Sequence, residues 1–152
     1  MRYVKSGTET LFDLLILRMK MNRGRNQGFG NREALEDYIR ATNSHDFEVV
    51  KKVLHREAIY YFSDQTCKTT EAIKTYFENA WHLIKEEVYE ARDVVWVNET
   101  ETSACCVYTY YYQGYLNGDW TEGKGRATNL FVHTEAGWKL RHEHLSGWGT
   151  SD

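Results

Sequence analysis

Cysteine is scarce in this 152-residue chain, and its three cysteines are poorly placed for a disulfide framework. Cys105 and Cys106 are adjacent in a predicted strand, so their side chains point to opposite faces and cannot easily pair with each other. Cys67 stands alone in the sequence. This cysteine usage predicts a reduced protein with a cytoplasmic location.

Long apolar runs and a basic stripe are also missing. Asp13 interrupts the short apolar run at residues 11–17, and no small-residue cleavage site follows it, so we expect neither a signal peptide nor a membrane anchor. The formal charge is −3, with 19 basic and 22 acidic residues of interspersed sign. This balance gives no support for a nucleic-acid partner.

Familiar catalytic signatures are absent as well. The sequence contains no serine-based triad, no glycine-rich phosphate loop and no CxxC pair; Gly28 and Gly30 follow no predicted strand and make no nucleotide fingerprint. We therefore expect no cofactor. Aromatic residues, in contrast, are plentiful at 14%, including 11 Tyr and 5 Trp. Tyr and Trp line ligand pockets and interfaces as well as cores.

The chain divides at a polar, glycine-rich segment. Residues 8–21 have the spacing of an amphipathic helix, and residues 22–31 are predicted to be a linker. Residues 1–31 are thus predicted to form an accessory helix and linker, and residues 32–148 the main domain. The accessory helix packs on its own domain or a partner subunit, or else docks on a membrane surface or another protein; the sequence leaves these alternatives open.

Helical signals come first in the main domain, and strand signals follow. Asn31, Asp46, and Thr69 or Thr70 are predicted to start three helices, because short polar side chains cap helix N-termini. Strands are predicted at residues 58–63, 93–97, 104–116, 119–133 and 138–146. This order predicts an α+β fold in which three helices pack on one curved, mainly antiparallel sheet.

Glycines mark two features of the predicted sheet. Asn117-Gly118 favours a type I′ turn, because that turn needs positive φ at both central residues. Gly123 and Gly125, within the following strand, predict a bulge or a sharp bend.

The fold resembles that of a known superfamily. Residues 36–62, 76–81 and 137–147 resemble the NTF2-like superfamily, whose cone-shaped α+β fold is shared by ketosteroid isomerase, SnoaL-type cyclases and the association (hub) domain of calcium/calmodulin-dependent kinase II. The chain as a whole is most similar to the DUF4440/SnoaL-like group, over residues 32–147. The resemblance implies a pocket between the helices and the concave face of the sheet, and a homodimer through the sheet.

The sequence departs from its relatives at their functional positions. Tyr38 matches a tyrosine of ketosteroid isomerase, but the place of that enzyme's general-base Asp falls near Phe62, which cannot take a proton; Asp64 lies two residues further on. The places of the arginines that line the hub pocket hold Tyr110, Asn129 and Leu145. The resemblance therefore carries over neither isomerase chemistry of that type nor carboxylate binding by arginines.

The last predicted strand contains His142, Glu143 and His144. In a regular strand Trp138, Leu140, His142 and His144 share one face, which we expect to be the pocket wall, while Glu143 points the other way and pairs with Arg126 on the outer face. The histidines either make hydrogen bonds within the wall or core, or contact a ligand and act as general acid–base groups. Only His133 is near enough to complete a metal site, so no metal is predicted.

Candidate site residues follow from these faces. His142, His144 and Tyr38 are candidate catalytic residues. The candidate ligand-binding residues are Tyr110, Tyr112, Asn129, Trp81, Tyr60 and Phe62. Tyr108, Tyr110 and Tyr112 share one strand face and either line the pocket or cover a dimer interface, for which Tyr111 and Tyr115 are further candidates.

Three functions are compatible with the sequence. The first is a homodimeric protein that binds a small hydrophobic or aromatic molecule in an aromatic, hydroxyl-lined pocket. The second is a cofactor-independent lyase, isomerase or cyclase with His142 or His144 as general acid–base. The third is an oligomerisation module like the hub domain.

Overall fold

The computed structural model describes residues 28–148, so the predicted accessory helix lies outside the described residues. Within this range three helices form: α1 (Asn31–Asn43), α2 (Phe47–Lys51) and α3 (Thr70–Leu83). Six strands form in the same range: β1 (Leu54–Tyr61), β2 (Thr66–Cys67), β3 (Ile84–Glu99), β4 (Ser103–Leu116), β5 (Asp119–Thr134) and β6 (Gly137–Gly147). None of the described helices is long and apolar enough to cross a membrane.

The strands form a single sheet in the order β2-β1-β6-β5-β4-β3. Only β1 and β6 are parallel, and the other neighbours are antiparallel. The predicted α+β fold is confirmed. The sequence missed the two-residue strand β2, and strand β3 starts directly at the end of α3, earlier than predicted.

Helix starts follow the predicted capping chemistry in two of three cases. The Asp46 carboxylate accepts a hydrogen bond from the backbone N–H of Glu48, and the Thr69 hydroxyl accepts one from Ala72. Asn31 is not a cap: Gly30 precedes the helix, and the Asn31 side chain instead donates to Glu99 at 2.9 Å. The amide ties the start of α1 to the end of β3.

The β4–β5 hairpin is regular along its whole length. Asn117 and Gly118 have φ of 52° and 84°, as the predicted type I′ turn requires. The expected bulge at Gly123 and Gly125 is wrong, because the pairing runs without a shift between the strands. These glycines instead make room for tyrosine rings on β4, since an added Cβ at either position would meet the ring of Tyr112 or Tyr110.

A bulge does occur in β6, where the sequence predicted none. Phe131 pairs with Leu140, whereas the preceding residue Leu130 pairs with His142, so Arg141 is an extra residue in β6. The extra residue reverses the alternation of side chains beyond it. Leu140 and Glu143 therefore both face the helices, although they are three positions apart and would lie on opposite faces of a regular strand.

The core lies between the helices and the inner face of the sheet. Leu35, Val50, Ile73 and Phe131 are almost fully buried there. A cavity also lies between the helices and this face of the sheet.

Candidate functional site

A cavity of about 180 Å³ lies between α1, α3 and the inner face of the sheet. Most of its wall is aromatic, including Tyr38, Phe62, Tyr76, Trp81, Tyr110 and Tyr112. Two larger depressions, of about 430 and 500 Å³, lie on the outer face and beside the start of α1. A buried carboxyl group, that of Glu90, also lines the outer depression, but there it is paired with Arg92 at 2.8 Å. Among the described residues, the buried carboxyl group of the inner cavity has no such basic partner, which makes this cavity the candidate site.

Glu143 is that buried carboxyl group, with 2% of its surface exposed. Its Oε1 accepts hydrogen bonds from the Tyr38 hydroxyl at 3.0 Å and from the Asn129 amide at 2.9 Å. Burial raises the pKa of Glu143 to about 7, although hydrogen bonds from Asn129, Tyr38 and Tyr108 oppose the shift. The carboxyl group can therefore hold or release a proton near neutral pH.

A network of phenols surrounds this carboxyl group. The Tyr38 and Tyr60 hydroxyls are 3.0 Å apart, and those of Tyr89 and Tyr108 are 3.4 Å apart. Burial raises the pKa of all four phenols well above its ordinary value. They stay protonated and act as hydrogen-bond donors to Glu143 or to one another.

A second carboxyl group, that of Glu87 on β3, also lines the cavity. Burial raises its pKa to about 7. Among the described residues, no side chain or backbone group donates a hydrogen bond to this carboxyl. The His45 ring stacks on Trp81 with centroids 5.5 Å apart, and its Nε2 lies 2.8 Å from the Glu87 backbone carbonyl.

The Thr42 hydroxyl is an unpartnered polar group in the same wall. Thr42 is 7% exposed, and its Oγ1 has no hydrogen-bond partner within the described part of the chain. Thr42 follows Tyr38 by one helical turn, so both side chains lie on the face of α1 that lines the cavity. Such an orphan costs about 1–3 kcal/mol, and cavity water or a ligand can satisfy it.

Phe62 and Tyr76 form a stacked pair in the wall of the cavity. Their rings stack with centroids 3.5 Å apart, and the Tyr76 hydroxyl donates to the exposed Asp64 carboxylate at 2.8 Å. Asp64 is not among the lining residues, but it holds the side chain of one that is.

The placement of the histidines predicted from the sequence is wrong. His142 lies on the outer face, where its Nδ1 is 2.7 Å from the Ile59 carbonyl, and His144 is exposed. Tyr61 contacts both rings, at 5.0 and 5.6 Å between centroids. The expected Arg126–Glu143 pair is also wrong, because Arg126 lies over the Trp148 ring on the outer face. The bulge at Arg141 causes both errors.

No cluster of three or more His, Cys, Asp or Glu side chains within residues 28–148 has a geometry that could hold a metal ion. His133 is exposed and stacks on Trp138, with ring centroids 5.1 Å apart.

Comparison with known proteins places this fold in a family. The SnoaL-like domain family matches residues 32–148. The chain belongs to the SnoaL-like family. A comparison with curated proteins finds no significant match.

Solved structures share the fold of this SnoaL-like domain. An NTF2-like superfamily protein from Salmonella enterica is 13% identical, with a TM-score of 0.71 over 79% of this chain and 89% of that chain. The calcium/calmodulin-dependent kinase II hub of S. rosetta is 16% identical, with a TM-score of 0.69 over 81% of this chain and 98% of that chain. An NTF2-like protein with a cystatin-like fold from Novosphingobium aromaticivorans is 17% identical, with a TM-score of 0.67 over 95% of this chain and 94% of that chain. At these identities the likeness concerns the fold alone.

Most of the other sequence-predicted residues gather around the cavity of the SnoaL-like domain. Five candidates line it: Tyr38, Phe62, Trp81, Tyr110 and Tyr112. Asn129 and Tyr60 lie behind the wall, bonded to Glu143 and Tyr38 respectively. Sequence reasoning missed Glu143, Glu87 and Thr42. One signal pointed to Glu143: Leu140 and Leu145 are both apolar at an odd spacing, which in a half-buried strand indicates an extra residue between them.

Proposed function

We propose that this SnoaL-like protein binds a small ring-bearing molecule in its inner cavity and exchanges a proton with it through Glu143. The observation that supports this most is the buried Glu143 carboxyl group, fixed at one oxygen by Tyr38 and Asn129 within the wall of an aromatic cavity. The proposed acid–base group is thus Glu143 and not His142 or His144.

The cavity volume limits the ligand. An apolar cavity of about 150 Å³ accommodates one benzene molecule, so about 180 Å³ suits a single ring with a short substituent. Sites for drug-sized molecules are larger, about 300–1,000 Å³. A polycyclic substrate does not fit without movement of side chains in the cavity wall.

The acid–base role rests on the environment of Glu143. A proton-transfer group works best with a pKa near the working pH, and burial brings Glu143 to about 7. Tyr38 and Asn129 hold the carboxyl group in one orientation, and Tyr38, while it donates to Glu143, can accept a hydrogen bond from the Tyr60 hydroxyl. Side chains alone supply this chemistry, which belongs to the isomerase or lyase class.

A two-stage experiment tests the proposal. Single-ring fragments are screened for binding by ligand-observed NMR, with Ala80→Phe as the matched variant that fills the cavity from α3. Bound fragments with a C–H next to a carbonyl are then followed in D₂O. We expect the wild-type protein to accelerate deuterium exchange at this C–H. Glu143→Gln, which is nearly isosteric but cannot take the proton, is expected to lower the exchange rate at least about tenfold. Binding that persists in Ala80→Phe, or exchange that persists in Glu143→Gln, contradicts the proposal.

We also propose a homodimer through the outer face of the sheet. Tyr115 and Trp120 form an exposed pair there, with ring centroids 5.4 Å apart, and Val95 and Trp148 are exposed on the same face. Exposed apolar side chains in contact, as Tyr115 and Trp120 are, are typical of a binding surface. Sedimentation velocity is expected to show a dimer that Trp120→Glu dissociates and Leu83→Glu, at an exposed apolar site on α3, does not. A monomeric wild-type protein contradicts this interface.

A further inference from the structure

We propose that the ligand of the inner cavity is an organic cation, a single ring with a protonated amine, held by the Glu87 carboxylate and the Thr42 hydroxyl against aromatic walls. The inference rests on the proposed function of the cavity and specifies the chemical class of its ligand. It does not depend on whether Glu143 catalyses a reaction.

The charges of the cavity wall favour a cation. Among the described residues that line the cavity, Glu87 and Glu143 are acidic, and no Lys, Arg or His is present. His45 is not among the lining residues; its ring stacks on Trp81, and its Nε2 is directed to the backbone carbonyl of Glu87. An anionic ligand would therefore meet two carboxyl groups and no positively charged partner. An ammonium group would meet a carboxylate partner without any rearrangement of the wall.

The two carboxyl groups are not equivalent. Glu143 already accepts hydrogen bonds from Tyr38 and Asn129, which fix it in the wall. Glu87 accepts none from the described residues, so its oxygens are available to N–H donors of a ligand. We therefore assign the ion pair to Glu87.

Thr42 gives independent evidence for a hydrogen-bonding ligand. Its Oγ1 is buried, lines the cavity and has no partner within residues 28–148. A protonated amine has up to three N–H donors, one for Thr42 and the others for carboxylate oxygens. A ligand without any polar group would leave this hydroxyl unsatisfied.

The aromatic walls suit the same chemistry. Tyr89 and Tyr110 stack with centroids 5.8 Å apart, and Trp81 contributes the largest ring of the wall. The face of an aromatic ring attracts a cation within about 6 Å of its centroid, most strongly for Trp and when water is excluded. The same faces pack against the ring of the ligand.

Calorimetry with three probes of equal size tests the inference. Benzylamine, which is protonated in neutral water, benzyl alcohol and benzoate differ mainly in charge. The titrations are made at about pH 8, above the pKa of Glu87 at about 7. We expect benzylamine to bind at least about tenfold more tightly than benzyl alcohol, and benzoate to bind most weakly.

Matched variants assign the effect to the wall. Glu87→Gln is expected to reduce the benzylamine affinity to about that of benzyl alcohol and to leave benzyl alcohol binding unchanged. Glu86→Gln removes the same charge from the neighbouring, exposed residue of β3 and is expected to change neither. Thr42→Val removes only the hydroxyl and is expected to weaken benzylamine binding several-fold. This variant provides a second test if Glu87→Gln does not fold.

The outcomes separate this inference from the proposed function. Equal or tighter binding of benzyl alcohol, or unchanged benzylamine binding in both Glu87→Gln and Thr42→Val, overturns the cation assignment and leaves a neutral-ligand cavity. Benzylamine binding that survives Ala80→Phe places the amine elsewhere and also overturns it. A cavity in which none of the three probes binds, while neutral fragments do, rejects the cation alone; failure of every fragment rejects the proposed function as well.

Discussion

Replacement of Glu143 by Gln is expected to change how the stability of the protein depends on pH. The Glu143 carboxyl titrates near 4.5 in an unfolded chain and at about 7 in the folded protein, because burial disfavours its charged form. Between these values the folded protein binds one more proton than the unfolded chain, so the free energy of unfolding falls as the pH rises. At about 1.4 kcal/mol per pH unit, the loss amounts to about 3 kcal/mol.

Gln keeps the shape of the side chain but cannot ionise. Its oxygen can still accept from Tyr38 and Asn129, and its amide can donate to the Tyr108 hydroxyl. At about pH 4.5 the variant and the wild-type protein, whose Glu143 is protonated, are expected to be of similar stability. At about pH 8 the variant is expected to be more stable by about 3 kcal/mol.

Urea unfolding followed by tryptophan fluorescence measures this difference from about pH 4.5 to about pH 8. Other titrating groups, including Glu87, contribute to both curves and largely cancel in the difference. Glu135→Gln, at an exposed turn, removes the same charge and serves as the control for net charge. Wild-type and Glu143→Gln curves that run parallel over this range would refute the reasoning, because Glu143 would then titrate alike in both states.

Two further stability predictions concern the cavity wall and the β4–β5 hairpin. Thr42→Val keeps the branched shape and removes an unpartnered hydroxyl, so thermal unfolding should show a stabilisation of about 1 kcal/mol; a loss of stability would mean that the hydroxyl has a partner. Gly125→Ala is expected to destabilise by about 1–3 kcal/mol, because its Cβ would meet the Tyr110 ring and the Ser146 carbonyl, while Gly147→Ala, with open space around it, should be nearly neutral. Equal effects of the two glycine substitutions would contradict this packing.

Local patterns in the sequence were enough to predict most of the fold. Helices α1 and α3 have strong apolar periodicity and recognisable starts, and the Asn117-Gly118 turn sets the register of the longest hairpin. The resemblance to the NTF2-like superfamily then supplied the arrangement of helices and sheet. Strand β2 has only two residues, too few to show any alternation.

The candidate site was harder to predict because it depends on a single extra residue. Alternation along β6 assigned Glu143 to the outer face, and the bulge at Arg141 places it inside. On the regular strand β4 the same reasoning correctly placed Tyr108, Tyr110 and Tyr112 on one face, and the resemblance to the hub domain indicated that this face is the concave one. A bulge changes hydrogen bonding between strands, so it leaves only a weak trace in the sequence of one strand.

The two glycines of β5 were misread for a related physical reason. In a strand, glycine indicates either a bulge or a close approach of another group, and sequence alone does not distinguish them. Here Gly123 and Gly125 lie beneath the rings of Tyr112 and Tyr110, which line the cavity. The glycines thus allow these tyrosines to lie flat across β5.

The features that cost stability in this protein converge on the same cavity. Glu143 is buried with a raised pKa, Glu87 is partly buried without a donor, and Thr42 presents an orphan hydroxyl. If stability alone determined the sequence, an apolar side chain at each of these positions would remove the loss of stability. A ligand that donates hydrogen bonds and carries positive charge would satisfy Glu87 and Thr42 together. The groups that lower the stability of the folded protein are thus the ones that the proposed ligand would bind.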